Sequence, residues 1–202
     1  MPQTIAIMNR PFATILAGMT AAAVIFTHFS CAAQNPTTNN PAATPTPPAT
    51  PDPSTAPATN KVTLKFVKVD SEETAGEDGH GSNAVDGNPK TFWHTQWQDD
   101  SPPCPHEIII ELVPPSTIKG FTCLPRQDEE VNGTIKDYEF YVSDDGKDFG
   151  KPVKKGTFEE GKEKKTATFE PKKCRFIKLK ALSEINDAAW TSVAEIGVIL
   201  SN

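Results

Sequence analysis

From residue 61 onward the chain repeats one pattern, in which a short run of alternating apolar and polar positions is followed by a cluster of turn-forming residues. Residues 62–69 (VTLKFVKV), 117–124 (TIKGFTCL), 137–143 (DYEFYVS) and 175–181 (RFIKLKA) carry the two-residue period of a strand with one wet face. Residues 107–112 (EIIIEL), 166–169 (TATF) and 193–200 (VAEIGVIL) complete the set. Between them lie Pro114-Pro115, Asn132-Gly133, Asp145-Gly146 and Glu160-Gly161, whose chemistry favours turns. No long amphipathic stretch interrupts the series, and the one helical element expected is a turn or so around Ser82 to Asp86. Short strands separated by regular turns predict an all-β fold, an antiparallel β-sandwich or jelly roll, with residues 61–202 as one domain large enough to bury a core.

The first sixty residues have a different texture. Arg10 is followed by residues 12–26, which carry no charge, and then by small residues, the layout of an export signal over residues 1–33. That apolar run is short of the roughly 20 residues a membrane-spanning helix needs. Cys31 stands where a lipid-modified cysteine would, although His28 and Phe29 fit a bacterial lipoprotein box poorly; cleavage after Ala32 or Ala33 is the competing reading. Residues 34–60 are built from Pro, Thr, Ala and Asn with Asp52 as the only charge, a composition that buries nothing and is held extended by its prolines. The expectation is an exported domain on a disordered tether, at the cell surface if Cys31 carries a lipid and secreted if it does not. Membrane contact is expected only through that anchor.

Charge narrows the partners further. The net charge is −6, and the basic residues Lys154, Lys155, Lys162, Lys164, Lys165, Lys172 and Lys173 cluster near turns and alternate with Glu. A nucleic-acid surface would show an unopposed basic stripe with aromatics for stacking, so nucleic acid is not expected as a partner. Cys104, Cys123 and Cys174 allow at most one disulfide among them; burial of all three as free thiols is the alternative. With no Cys-x-x-Cys spacing, neither structural zinc nor a redox dithiol is expected.

The densest chemistry falls in residues 82–97. Asn83, Asp86, Asn88 and Thr91 offer oxygen ligands around the flexible Gly87, a pattern suited to wrapping a hard cation. Phe92, Trp93 and Trp97 then flank His94, placing aromatic surface and one polar ring directly after the turn.

These residues also carry a resemblance. Residues 83–97 (NAVDGNPKTFWHTQW), 105–112 (PHEIIIEL), 120–128 (GFTCLPRQD), 138–146 (YEFYVSDDG), 175–181 (RFIKLKA) and 193–196 (VAEI) are similar, in order and spacing, to the motifs of the discoidin or coagulation-factor type C fold. They most resemble bacterial family-32 carbohydrate-binding modules. The resemblance implies a structural Ca²⁺ held by the side chains of Asp86, Thr91 and Glu195 and the carbonyls of Asn83, Asn88, Thr91 and Ala194, tying the first loop to the last strand. It implies a sugar site on the loops, with His94 and Arg126 as polar anchors and Trp97 as the aromatic platform. Glu77 or Asp78 would be the carboxylate acceptor, and Trp190 would close one side. Terminal galactose or N-acetylgalactosamine is the implied ligand. Cys123, where relatives often have Tyr, and Gly79, which leaves the early loop without an aromatic, depart from the pattern and bear on which sugar fits.

Plainer roles compete for the same residues: Trp93 as core, His94 as a structural histidine, Arg126 as the surface partner of Asp128 or Glu129. No Gly-x-Ser-x-Gly, His-Glu-x-x-His or phosphate-cradling loop occurs. The expected function is therefore non-catalytic carbohydrate binding by a monomeric, exported module whose partners are glycans. An adhesion module of the same fold binding a protein or a lipid head group is the second reading, and an envelope protein with a vestigial site the third.

Overall fold

The computed structural model describes residues 61–201. The expected export signal and tether, with Cys31, lie outside those residues. The described chain runs β1 (Thr63–Val69), a 3-10 turn (Gly81–Val85), β2 (Trp93–His94), β3 (His106–Leu124), β4 (Asp137–Ser143), β5 (Lys154–Thr157), β6 (Lys165–Ala181), β7 (Ser192–Val193) and β8 (Glu195–Leu200).

Two long strands build both layers. The first half of β3 pairs with β1 and with the second half of β6, which in turn pairs with β4, and β5 closes that edge. The second half of β3 pairs with β8 on one side and with the first half of β6 on the other. All these pairings are antiparallel. Pro114 and Pro115 have no N–H to give the ladder, and the β3–β6 register skips between Glu111 and Ser116. More β3 residues than β6 residues fit into that gap, a bulge that lets both strands turn the corner from one layer to the other. The two prolines expected to end a strand thus bend one that continues, and residues 166–169 and 175–181 are likewise parts of a single strand, β6.

Alternation decides which faces meet. Phe121 from the β3–β6–β8 layer stacks on Phe140 of β4 at 4.0 Å between ring centroids, and both are fully buried. Tyr138 stacks on Phe158 at 4.2 Å beside them, and Ile108, Ile110, Leu112, Ile177 and Leu179 fill the rest of the core. Each such side chain contributes about 2–3 kcal/mol by leaving water. Trp93 belongs to this core at 1% exposure, with its Nε1–H donating to the Ser71 carbonyl at 2.9 Å. Cys104, Cys123 and Cys174 are free thiols. Cys123 and Cys174 pack in the core, where burial pushes their pKa up to about 12 and about 11.

Candidate functional site

The candidate site residues hang from the connections between strands. The two-residue strands β2 and β7 pair antiparallel, Trp93 opposite Val193 and His94 opposite Ser192, and pin the β2 loop to the segment preceding β8. The Ser192 N–H donates to the Gly133 carbonyl at 2.7 Å, drawing in the β3–β4 connection. Gly133 is required there: its φ is +78°, and a Cβ would lie 2.6 Å from the Ser192 nitrogen.

The loop after β1 is fastened by Glu73, which is 1% exposed. Its Oε1 accepts from the amides of Ala75 and Gly76 at 2.8 and 2.9 Å, and its Oε2 from those of Trp97 and Gln98 at 2.9 and 2.8 Å. Amide donors, those of Gln98, Gly76 and Trp97 foremost, hold its carboxyl down to about 2. One carboxylate thereby fixes two loops against each other. Sequence reasoning did not find Glu73, because nothing local distinguishes it from Glu72.

Between these loops opens a cavity of about 250 Å³. Glu77, His94, Trp97, Arg126 and Trp190 all line it, together with Glu130 and Asn132, which sequence reasoning missed. Of the two carboxylates considered for the acceptor, Glu77 reaches the cavity. Asp78 instead turns outward, its side chain 74% exposed and near His80.

The geometry gives each lining group a definite state. His94 is 3% exposed, and its Nδ1 lies 2.6 Å from the Thr95 carbonyl. A carbonyl only accepts, so Nδ1 carries the proton and Nε2, with no protein partner among the described residues, is an acceptor. Burial lowers the His94 pKa below its ordinary value, and the Arg126 charge adds to that against the opposing pull of the Thr95 carbonyl and Glu77. Arg126, 6% exposed, donates through Nε and Nη2 to the two oxygens of Asp128, and its guanidinium lies 4.2 Å from the Phe92 ring centroid. The pairing with Asp128 and the place on the cavity wall are therefore both present. Trp97 is 41% exposed; its Nε1–H donates to Glu77 Oε1 at 2.8 Å, and its ring passes over Gly76, where a Cβ would come within 2.6 Å of it. Trp190 sits half-buried with its indole N–H donating to Ser101 at 3.0 Å and its ring 6.4 Å from that of His94. The result is an exposed ring face beside one imidazole acceptor, the guanidinium N–H groups that Asp128 leaves free, and carboxylate oxygens.

The turn after the 3-10 segment brings Asp86, Asn88 and Thr91 of the expected cation ligands together. Asp86 Oδ1 accepts from the Asn88 amide at 2.7 Å, and Thr91 Oγ1 lies 2.7 Å from Asp86 Oδ2 and 2.8 Å from the Asn88 carbonyl. Asn83 Nδ2 donates to the Asp78 carbonyl at 2.9 Å, which orients the start of this turn. Glu195, next to the buried Ala194, stands beside Asp86; burial and then the Asp86 charge raise its pKa, with the Gly87 and Asn88 amides partly offsetting. Its Oε1 is buried with no hydrogen-bond partner. Two adjacent carboxylates, one with an orphaned oxygen, surrounded by carbonyl and hydroxyl oxygens, fit a hard divalent cation.

The β-sandwich core and the polar cavity assembled from its loops are consistent with a discoidin-type module. The chain belongs to the F5/8 type C domain family, whose model matches residues 66–196. A sialidase from Micromonospora viridifaciens is 42% identical over 136 residues, which are 67% of this chain and 21% of the sialidase. A galactose oxidase from Gibberella zeae is 38% identical over 133 residues, 65% of this chain and 19% of the oxidase. The chain thus spans about a fifth of the length of these curated relatives. Among solved structures, a family 32 module from Clostridium perfringens in complex with GalNAc-β-1,3-galactose superposes with a TM-score of 0.62 at 33% identity, covering 68% of this chain and 95% of that one. The family 32 module of C. perfringens NanJ in complex with galactose gives a TM-score of 0.56 at 32% identity, covering 68% and 92%.

Proposed function

We propose that this protein is a non-catalytic carbohydrate-binding module for terminal galactose or N-acetylgalactosamine. The observation that carries the reading is that one cavity gathers His94, Arg126 and Glu77, which have unspent hydrogen-bonding capacity, with the rings of Trp97 and Trp190. The exposed Trp97 ring packs on the apolar face of a pyranose, held at a fixed angle by the Glu77 carboxylate below its indole N–H. His94 Nε2 accepts from a sugar hydroxyl, and the Arg126 N–H groups not engaged by Asp128 donate to hydroxyl oxygens. The oxygen of Glu77 not taken by Trp97 accepts from another hydroxyl. The site is open and its polar anchors are few, consistent with affinities on the order of millimolar.

The module is further proposed to hold one structural Ca²⁺ through the side chains of Asp86, Thr91 and Glu195 and the carbonyls of Asn83, Asn88, Thr91 and Ala194. The ion would supply positive charge between two carboxylates and tie the first loop to β8. The sequence of residues 1–60 supports export on a proline-rich tether, lipid-anchored at Cys31 or released.

A glycan array probed with the full chain in calcium, beside a His94→Ala/Arg126→Ala double variant, tests the reading. Binding to terminal galactosides that the folded double variant loses is the expected result. A folded, calcium-loaded protein that binds no glycan overturns it and directs attention to protein or lipid head-group partners. Chelation is expected to lower the melting temperature by several degrees, since a ligand at a hundredfold its dissociation constant stabilises by about 3 kcal/mol; an unchanged melt removes the calcium assignment.

A further inference from the structure

The cavity wall is negative once its ion pairs are resolved. Glu77 and Glu130 both line it. Arg126 is the only Lys or Arg among the lining residues, and two of its N–H groups are already committed to the two oxygens of Asp128. That pair presents almost no net charge to the cavity. His94 is neutral, its one ring proton donated to the Thr95 carbonyl and a second disfavoured by burial. Lys162 reaches the Asp128 carbonyl and is not part of the lining. Among the lining residues, two carboxylates therefore stand without a free cation to balance them, and the Lys162 charge acts on Asp128 from outside the lining.

Resting on the reading that the cavity holds a galactose-type sugar, we propose that its wall selects neutral and amine-bearing sugars and turns away anionic ones, with Glu130 and Glu77 as the discriminating residues. A carboxylate or sulfate on the sugar loses its water beside two like charges. The Arg126 fork, which would otherwise receive it in bidentate fashion, is occupied by Asp128, and an incoming anion would have to displace a charged hydrogen-bonded partner. A hydroxyl needs only the remaining N–H groups and the imidazole acceptor. A protonated amine gains from the same field that repels the anion. Glu77 is held by the Trp97 indole, whereas Glu130 is exposed on the rim, so Glu130 can be changed with less disturbance of the platform.

The test is calorimetric titration of the full chain with four closely matched ligands: methyl β-galactoside, methyl β-galacturonoside, the neutral amide of that acid, and methyl β-galactosaminide. The acid is expected to bind at least about tenfold more weakly than its amide at low ionic strength, with the gap narrowing in about 0.5 M salt. Glu130→Gln should shrink the acid-to-amide ratio and Glu130→Lys should reverse it. The galactosaminide-to-galactoside ratio, which involves no change at C6, should exceed one and fall in both variants. Equal binding of acid and amide, or an amine ratio that ignores Glu130→Lys, overturns the proposal while leaving sugar binding intact; if neither C6 derivative binds, the amine ratio decides. No binding of methyl β-galactoside by the folded protein removes the underlying reading and the proposal together.

Discussion

The cavity wall around His94 and the junction around His106 make an instructive pair. Both histidines are almost wholly buried, 3% and 1% exposed, and both lie near a carboxylate. At His106 every polar atom of the ring is used: Nδ1 meets Asp70 Oδ2 at 2.8 Å, and Nε2 meets the carbonyls of Pro102 and Ala189 at 3.1 and 2.9 Å. All three partners are acceptors, so the ring donates at both nitrogens and is an imidazolium. At His94 one nitrogen is used and the other is not. Burial therefore does not separate a structural histidine from a binding one. The separation lies in whether any hydrogen-bonding capacity is left over, and the leftover atom at His94 belongs to a residue that lines the cavity.

Removing the saturated member should cost the most stability. His106→Ala leaves the Asp70 charge and two carbonyls without their donor, and Asp70 is partly solvated at 35% exposure, so the expected loss is about 2–3 kcal/mol in a denaturant melt. The folded fraction of that variant should keep its sugar affinity within about threefold, because His106 is absent from the cavity lining. A His106→Ala protein as stable as the wild type would end the comparison. His94→Ala should show the reverse balance. Its sugar affinity is expected to fall at least tenfold, about 1.4 kcal/mol, while the stability loss is smaller than that of His106→Ala.

Glu73 sharpens the same contrast one step further from the ligand. Glu73→Gln places an amide NH₂ against two backbone N–H donors that now face a carboxylate oxygen, so one of the two fastened loops must shift. Sugar binding should weaken several-fold through Trp97, which Glu73 positions without lining the cavity. The indole N–H resonances report this separately. That of Trp97, bonded to Glu77, should broaden or move, while that of Trp93, bonded to the Ser71 carbonyl, should stay. Equal disturbance of both would mean that Glu73 acts on the whole fold rather than on the platform.

What could be read in the sequence follows a physical line. Strands with alternating burial were legible, and with them the sandwich class, because apolar positions such as Tyr138 and Phe140 or Ile177 and Leu179 recur at the strand period. β5 was not, since Lys-Lys-Gly-Thr has no apolar alternation and is a strand only because β4 pairs with it. The corner at Pro114 was read as a turn because prolines end ladders; that β3 and β6 bend together past them depends on a pairing no local pattern carries. Glu77, His94, Trp97, Arg126 and Trp190 were named through the resemblance as an expected sugar site, and they line one cavity. Glu73, Glu130 and Asn132 were not named. Glu73 acts through amides more than twenty residues away in the chain, and the other two reach the cavity because Gly133 folds their loop onto Ser192.

The smallest effect, and the one that separates the two histidines most cleanly, is their opposite response to pH. Burial alone would lower the His106 pKa, but the Asp70 carboxylate and the two carbonyls outweigh it and raise the value above 6.5. Its stabilisation is then complete below about pH 6.5 and is lost as pH rises through the raised value, because there the folded state binds the proton that the unfolded state has released. The His94 pKa is lowered, so the sign reverses: the unfolded state takes up a proton first as pH falls below about 6.5, and stability declines toward acid. Sugar affinity should fall further toward acid, through the lowered folded-state value itself, since protonation at Nε2 turns the acceptor into a donor. Melts from pH 5 to 9 should therefore peak near neutrality, with the alkaline slope missing from a His106→Gln variant. Calorimetric titration should show affinity rising from acid to a plateau that the alkaline loss of stability does not touch. An affinity that instead follows the stability curve on both sides would mean that the two histidines report one coupled unfolding event.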